Sequence, residues 1–228
     1  MPKNATKTAP VPLITLTQGY SAIAEQFRTV RTNVQFSNID KELKTLVLTS
    51  AGPSEGKSTT AANLAVVFAN SGKRVLLVDA DLRKPTVALT FKAHNVKGLS
   101  SLLFDRKIDF HKIVQRSTVS NLSILPSGPR PPNPSEILGS QRMEEVIRDL
   151  QKSFDLIIFD MPPVATVTDA QILSAKTDGT LLVVRERKTK KQDLMDAKRL
   201  LEIAKANVIG VVYNAAKKTR DSQYYYYS

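Results

Sequence analysis

Ser50-Ala51-Gly52-Pro53-Ser54-Glu55-Gly56-Lys57-Ser58-Thr59 is the stretch that decides the fold. The apolar run Thr45-Leu46-Val47-Leu48-Thr49 precedes it, and an alanine-rich segment from Thr60 to Asn70 that reads as a helix follows. Strand, tight loop and helix start, in that order, form the setting a phosphate-binding loop requires. Backbone N–H groups of such a loop point inward at an anion, and the helix N-terminus adds its partial positive charge. Lys57 would reach the β- and γ-phosphates of a nucleotide, and the Ser58 hydroxyl would ligate Mg²⁺. Gly52, Pro53, Ser54, Glu55, Gly56 and Thr59 complete the cradle. The pattern departs at its entry, where the usual first glycine is replaced by Ala51 and Gly52 follows one place later. A turn before an ordinary helix would also accommodate Gly-Lys-Ser; the flanking strand and helix favour nucleotide binding.

Two further apolar runs end in carboxylates. Arg74-Val75-Leu76-Leu77-Val78-Asp79 reads as a buried strand, with Asp81 two residues on in Asp79-Ala80-Asp81-Leu82-Arg83-Lys84-Pro85. Phe154-Asp155-Leu156-Ile157-Ile158-Phe159-Asp160 has the form of a Walker B motif, whose Asp160 would hold Mg²⁺ directly or through water. Continuous apolar runs mark strands buried on both faces, and open α/β sheets bind ligands at the carboxyl ends of their strands. Aspartates there are costly unless they face a cation or a proton donor. The alternative for Asp81 is a helix cap, and Asp169 reads as an N-cap or first-turn acid.

Thr180 to Val184 and Asn207 to Asn214 are expected to be two more buried strands around a helix from about Lys190 to Ala206. Strands alternating with helices predict an α/β fold with a mostly parallel, doubly wound sheet. Two short helices are expected over residues 98–117, a short strand at Leu122–Leu125, and a proline-dense connector from Pro126 to Pro134 before a helix near Ser135. His94 and His111 lack metal-ligand spacing and read as surface residues.

Near the N-terminus, residues 1–18 read as a flexible arm. From about Gly19 to Phe36, Ile23, Phe27, Val30 and Val34 recur at helical spacing as one apolar stripe. Glu25, Arg28 and Arg31 lie on the other side, either as a solvated face with a weak intrahelical pair or as a contact with a second subunit. Pattern alone favours the solvated face. Residues 217–228 carry no core-forming pattern yet end in Tyr224-Tyr225-Tyr226-Tyr227, four of the six tyrosines in the chain. Phosphorylatable hydroxyls on a mobile tether account for that cluster better than packing does.

The 228 residues fit one α/β domain, with 42% hydrophobic and 24% charged residues in the ordinary globular range. With no cysteine, disulfides and thiolate metal sites are excluded. No apolar run approaches the ~20 residues of a membrane span, which gives the expectation of a cytoplasmic protein. The formal net charge of +12 raises nucleic acid or an anionic membrane as partners. The charge is spread along the chain, however. Its one cluster, Arg185 to Lys191, has no interleaved aromatics, so it reads equally as a solvated face or a dock for a partner or for phosphates.

Together these motifs resemble the cytoplasmic kinase domain of the bacterial tyrosine kinases of capsule and exopolysaccharide biosynthesis. The phosphate loop, Leu77 to Pro85, Ile157 to Pro163, Glu25-x-x-Arg28-x-x-Arg31, Pro132 to Glu136 and the tyrosine cluster all match, from roughly residue 15 onward. Gly-Pro-Ser-Glu-Gly stands where many relatives have Pro-Gly-x-Gly, and Asn214-Ala215 where many have Asn-Lys. The resemblance implies a three-layer P-loop NTPase fold of the MinD/ParA type in residues 19–216. It also implies an ATP- and Mg²⁺-dependent tyrosine autokinase acting between subunits of a ring on the tail 217–228. Lys57 would neutralise phosphates, Ser58 and Asp160 would hold Mg²⁺, Asp79 would assist through water, and Asp81 would sit near the phenol as base or orienter. Asn214 would contact the nucleotide, and Glu25, Arg28 and Arg31 would become an oligomer contact. The implied partners are a separate transmembrane modulator that recruits the chain to the inner face of the membrane, a cognate tyrosine phosphatase, and further copies of the chain. Nucleic acid is not expected. The competing reading is a MinD/ParA-type ATPase without kinase activity. Such proteins carry an extra lysine near the start of the phosphate loop, where this chain has Ala51 and Gly52.

Overall fold

Six consecutive buried residues, Thr45–Ser50, form a strand near the middle of a seven-stranded sheet. The computed structural model describes residues 9–37 and 42–216. In chain order the elements are α1 (Ile14–Thr17), α2 (Ala22–Phe36), β1 (Thr45–Ser50), α3 (Lys57–Asn70), β2 (Val75–Asp79), α4 (Val87–Phe91) and α5 (Leu99–Phe104). A 3-10 turn at Phe110–Lys112 leads to β3 (Gln115–Arg116), β4 (Leu122–Leu125), α6 (Pro134–Gly139) and α7 (Gln141–Ser153). The chain continues through β5 (Leu156–Asp160), α8 (Asp169–Ser174), β6 (Gly179–Arg185), α9 (Lys191–Ile203) and β7 (Val208–Asn214). Strand order is β3-β4-β2-β5-β1-β6-β7, with every pair parallel except β3–β4.

Alternation along each strand divides the core into two layers. Leu46, Leu48, Leu77, Ile158 and Val183 pack with the alanine-rich face of α3, including Ala61 and Ala65, and with Val34 of α2. Val47, Val78, Ile157, Phe159 and Leu182 meet Leu102, Leu138, Leu150, Leu173 and Leu201 from the helices on the opposite face. The three-layer, mostly parallel architecture expected from the sequence is the one observed.

Several local expectations change. The flexible arm was expected to run through residue 18, yet its last part is docked on α3. The fully buried Asn63 accepts from the Thr15 N–H and hydroxyl, both at 2.9 Å, and donates to the Pro12 carbonyl at 2.8 Å. An internal asparagine with these three bonds is a side-chain anchor that apolar periodicity does not register. The helix expected near Ser135 is two helices, because Ser140 adopts extended geometry and its hydroxyl caps the N-terminus of α7. Residues 98–117 hold two short helical pieces, as expected, α5 and the 3-10 turn, but end in β3, and α4 was not anticipated. The Asn207–Asn214 strand was expected to be buried. As β7 it is a sheet edge paired only with β6, and Val211 and Tyr213 are 52% and 61% exposed. The proline-dense connector packs on the start of α5, where Pro126 and Ser127 accept from the Leu99 and Ser100 N–H groups. A Cβ on Gly98 would lie 2.2 Å from the Pro126 carbonyl oxygen, so that junction requires glycine. His94 and His111 are exposed, as read from the sequence.

Candidate functional site

The phosphate loop joins β1 to α3, and its shape rests on two residues with positive φ, Ser54 at 60° and Gly56 at 99°. Gly56 is the cap of α3, and a Cβ there would meet Asn214 Nδ2 at 1.9 Å. That close approach exists because Asn214, at the end of β7, donates to the Glu55 carbonyl at 2.9 Å. Ser54 occupies the place where the family pattern has glycine, and it adopts the left-handed conformation that glycine takes without steric cost. Glu55 is 3% exposed. It accepts from the Gly52 N–H at 2.9 Å and from the Thr189 hydroxyl at 2.5 Å, pinning the loop to the segment after β6. Sequence reasoning did not single out Thr189, since a lone threonine in a charged run carries no signal.

Lys57, Asp79, Asp81 and Asp160 come together beneath this loop. Asp79 and Asp160 end adjacent strands and are register partners. Lys57 Nζ lies 2.9 Å from Asp81 Oδ2, 3.4 Å from Asp160 Oδ1 and 3.1 Å from Ser58 Oγ. Burial works against the ammonium, but the charges of Asp160 and Asp81 outweigh it and lift Lys57 to about 12. Asp79 is fully buried. Burial and then the Asp160 charge push it up to about 8, opposed by its hydrogen bond from the Val87 N–H and by Lys57. Burial also raises Asp160, with Lys57 and the Ser58 hydroxyl pulling it back.

The helix-cap alternative belongs to Asp79 rather than to Asp81. Asp79 Oδ2 accepts from the Thr86 and Val87 N–H groups, both at 2.9 Å, at the start of α4. Asp81 accepts from the Lys84 N–H at 3.0 Å within a turn, leaving its other oxygen on Lys57.

Two buried carboxylate oxygens, Asp79 Oδ1 and Asp160 Oδ2, have no hydrogen-bond partner. Such atoms are costly in a dry site and fit an approaching cation. Among the described residues no group of three or more His, Asp or Glu side chains forms a metal-binding cluster. The two unpartnered carboxylate oxygens fit Mg²⁺, which takes one or two protein carboxylates and completes its shell with water and substrate phosphate. On the far side of Thr59, a cavity of about 540 Å³ opens between α1, α2, α3 and β7. Ile14, Phe27, Thr60, Tyr213 and Asn214 are among its lining residues, and it has the size of a small-molecule pocket.

Asp169, expected as a plain N-cap or first-turn acid, is the first residue of α8, with Thr168 at the cap, but its carboxylate is fully buried and bound elsewhere. Arg83 grips it through Nε at 2.9 Å and Nη2 at 3.0 Å, and the Ser135 hydroxyl donates to it at 2.7 Å. The turn that carries Asp81 is thereby tied to α6 and α8. On α2, Glu25 and Arg28 form the intrahelical pair at 2.6 Å, while Arg31 reaches the Val67 carbonyl at 3.5 Å and leaves a buried Nε without a partner. Tyr224–Tyr227 lie outside the described residues.

Residues 43–205 match the family described as AAA domain. The chain is 46% identical over 215 residues to the tyrosine-protein kinase YwqD of Bacillus subtilis, covering 94% of this chain and 90% of that protein. It is 38% identical to the putative tyrosine-protein kinase CapB of Staphylococcus aureus, covering 95% and 94%. Among solved structures, the chimerical protein CapA2B2 superposes with a TM-score of 0.86 at 38% identity, covering 92% and 94% of the two chains. The septum site-determining protein MinD of Pyrococcus horikoshii, solved with Mg-ADP, shares the fold at a TM-score of 0.64 and 23% identity, covering 78% and 72%. Sequence, fold and the acidic strand ends around the phosphate loop agree: the chain belongs to the bacterial tyrosine-protein kinase family.

Proposed function

We propose that the chain transfers the γ-phosphoryl group of ATP to Tyr224–Tyr227 of another copy of itself, and so regulates capsular or exopolysaccharide synthesis and export. The observation that carries this reading is the convergence of Lys57, Ser58, Asp81 and Asp160 beneath the phosphate loop, beside two buried carboxylate oxygens that lack partners. In the reaction a tyrosine phenol oxygen bonds to the γ-phosphorus. The bond from that phosphorus to the oxygen bridging to the β-phosphate breaks, and ADP leaves with the electron pair.

Lys57 turns from Asp81 to the β- and γ-phosphates, which frees an Asp81 carboxylate oxygen to take the phenol proton or to orient it. A phenol with a pKa near ~10 needs such an acceptor at neutral pH. The Mg²⁺ ion, when bound, neutralises phosphate charge; Ser58 and Asp160 would hold it, with Asp79 reaching it through water. Loop N–H groups from Gly52 to Thr59 position the phosphates, and the cavity beyond Thr59 is the space for the nucleoside, with Asn214 at its edge.

Residues 19–216 serve as the kinase domain and 217–228 as its target tail. Further copies assemble as a ring through Glu25, Arg28 and Arg31. The Glu25–Arg28 pair, which remains partly exposed, supports a contact of this face with a further copy. A separate transmembrane modulator recruits the chain to the inner membrane face; among the described residues no helix is long and apolar enough to cross a membrane. A cognate phosphatase would reset the tail.

The test is phosphotyrosine formation with ATP and Mg²⁺ in the presence of the modulator's cytoplasmic segment. Wild type should label, Lys57→Met should not, and replacement of Tyr224–Tyr227 by Phe should remove most of the signal. ATP hydrolysis with no phosphotyrosine would instead favour the MinD/ParA-type ATPase that the shared fold also accommodates.

A further inference from the structure

We propose that residues 185–190, from the end of β6 to the start of α9, form a phosphotyrosine-binding site at the rim of the phosphate loop, and that its ligand is the phosphorylated tail of the same chain. The Ser54 carbonyl receives two cations at once, Arg185 Nη1 at 3.2 Å and Lys188 Nζ at 3.3 Å. Among the described residues neither cation pairs with a carboxylate, and both side chains are exposed. Two like charges converging on one neutral oxygen repel each other, and an anion seated between them relieves that repulsion. Arg187, Lys190 and Lys191 extend the positive field, while Glu186, the one acid of the run, faces Arg187 at 3.7 Å.

The loop is held in place. The Thr189 hydroxyl accepts from the Arg185 N–H at 2.9 Å and donates to the buried Glu55. The backbone that carries both cations is therefore held against the phosphate loop, and their side chains reach its Ser54 carbonyl.

The tail is the occupant because of where the fold ends and how its charge changes. Arg185 is the register partner of Asn214 at the end of β7, and the Glu186 N–H donates to the Asn214 carbonyl at 3.0 Å. The chain thus leaves the sheet beside this loop. Seven residues lie between Ala216 and Tyr224, and the eight steps between the two could span about 26 Å when extended, which is ample for the tail to reach back. Before modification the tail is itself basic, with Lys217, Lys218 and Arg220 against Asp221, and the loop repels it. Four phosphotyrosines would add roughly −6 to −8 charges and reverse the sign. Tethering supplies a high local concentration, which favours docking within one chain.

This inference rests on the tail being the phosphorylated element, but its test does not depend on autophosphorylation. A fluorescent synthetic peptide of sequence 217–228, with phosphotyrosine at 224–227, is titrated with the full, unphosphorylated chain, and the same peptide without phosphate is run beside it. The phosphopeptide should bind at least tenfold more tightly than its unmodified twin. Arg185→Ala/Lys188→Ala should weaken it about tenfold with melting temperature and ADP affinity unchanged. A chain carrying the phosphorylated 217–228 segment by ligation should bind the free peptide about tenfold more weakly, because its own tail fills the site.

Equal binding of the two peptides, or indifference to the double substitution, overturns the proposal. So does undiminished peptide binding by the ligated chain. Loss of ADP affinity in the double variant, together with displacement of the peptide by ADP, assigns the cations to the nucleotide and also overturns it. Failure of the wild type to make phosphotyrosine would sink the kinase reading while leaving these outcomes standing.

Discussion

Asp79 is the residue on which the fold and the chemistry pull in opposite directions. Its Oδ2 organises the start of α4, whereas its Oδ1 has no partner in a fully buried position next to Asp160. Burial, with the Asp160 charge second, holds its pKa near 8, far above the ordinary carboxylate value of 3.8. Between those two values the native state keeps a proton that the unfolded chain has released, so stability falls as pH rises across that window. Asp79→Asn retains an acceptor for the Thr86 and Val87 N–H groups and removes the titration. The nucleotide-free variant should be more stable than wild type at pH 8, with the difference shrinking toward pH 4. Urea denaturation at several pH values measures this, and parallel pH profiles for the two proteins would contradict it.

At the scale of elements, the Arg83–Asp169–Ser135 cluster joins the turn after β2 to α6 and α8. Arg83→Met would strand a fully buried carboxylate and should cost about 3 kcal/mol, the usual scale for breaking a buried ion pair. Asp169→Asn should cost less, about 1–2 kcal/mol, because the Arg83 side chain is 31% exposed and can recruit water. Chemical denaturation of both variants gives the ranking, and equal losses would mean that the ion pair itself contributes little. This cluster also marks the limit of what the sequence conveyed. Strands with a continuous apolar run and a terminal acid, such as β2 and β5, were readable because burial on both faces leaves a one-dimensional signature. Lys57, Asp81 and Asp160 were readable for the same reason, since the motif and the strand end place them. Asp169 looked like any helix-start acid because its partners lie 86 and 34 residues away. The exposure of β7 was hidden for a related reason, since Val208 to Tyr213 is as apolar as an interior strand and only sheet order makes it an edge.

For the whole molecule, the phosphate loop is a meeting point of distant parts of the chain. Glu55 and Gly56 touch Thr189 and Asn214, and Lys57 bridges Asp81 and Asp160. A ligand that satisfies Lys57 and the orphan carboxylate oxygens should therefore stabilise the entire sheet. At one hundred times its dissociation constant, Mg-ADP should add about 2.7 kcal/mol to stability. ADP with a chelator should raise the melting temperature by less, and Lys57→Met should lose most of the gain. Scanning calorimetry distinguishes these cases, and an identical shift with and without Mg²⁺ would remove the divalent ion from the site.

The register pairing of Asp79 with Asp160 also dictates when the protein becomes competent. β5 is inserted between β2 and β1 although it follows both in sequence. Until residues 156–160 have been synthesised β2 can pair only with β4, and β1 has no sheet neighbour at all, so both present open, apolar edges in the meantime. Long-range parallel pairings of this kind form slowly. On the ribosome, then, the phosphate loop is made early, but the acids it works with assemble late. A nascent chain stalled before β5 would lie exposed to aggregation and to chaperones. Nucleotide capture is consequently a marker of completed folding, not an event that guides it.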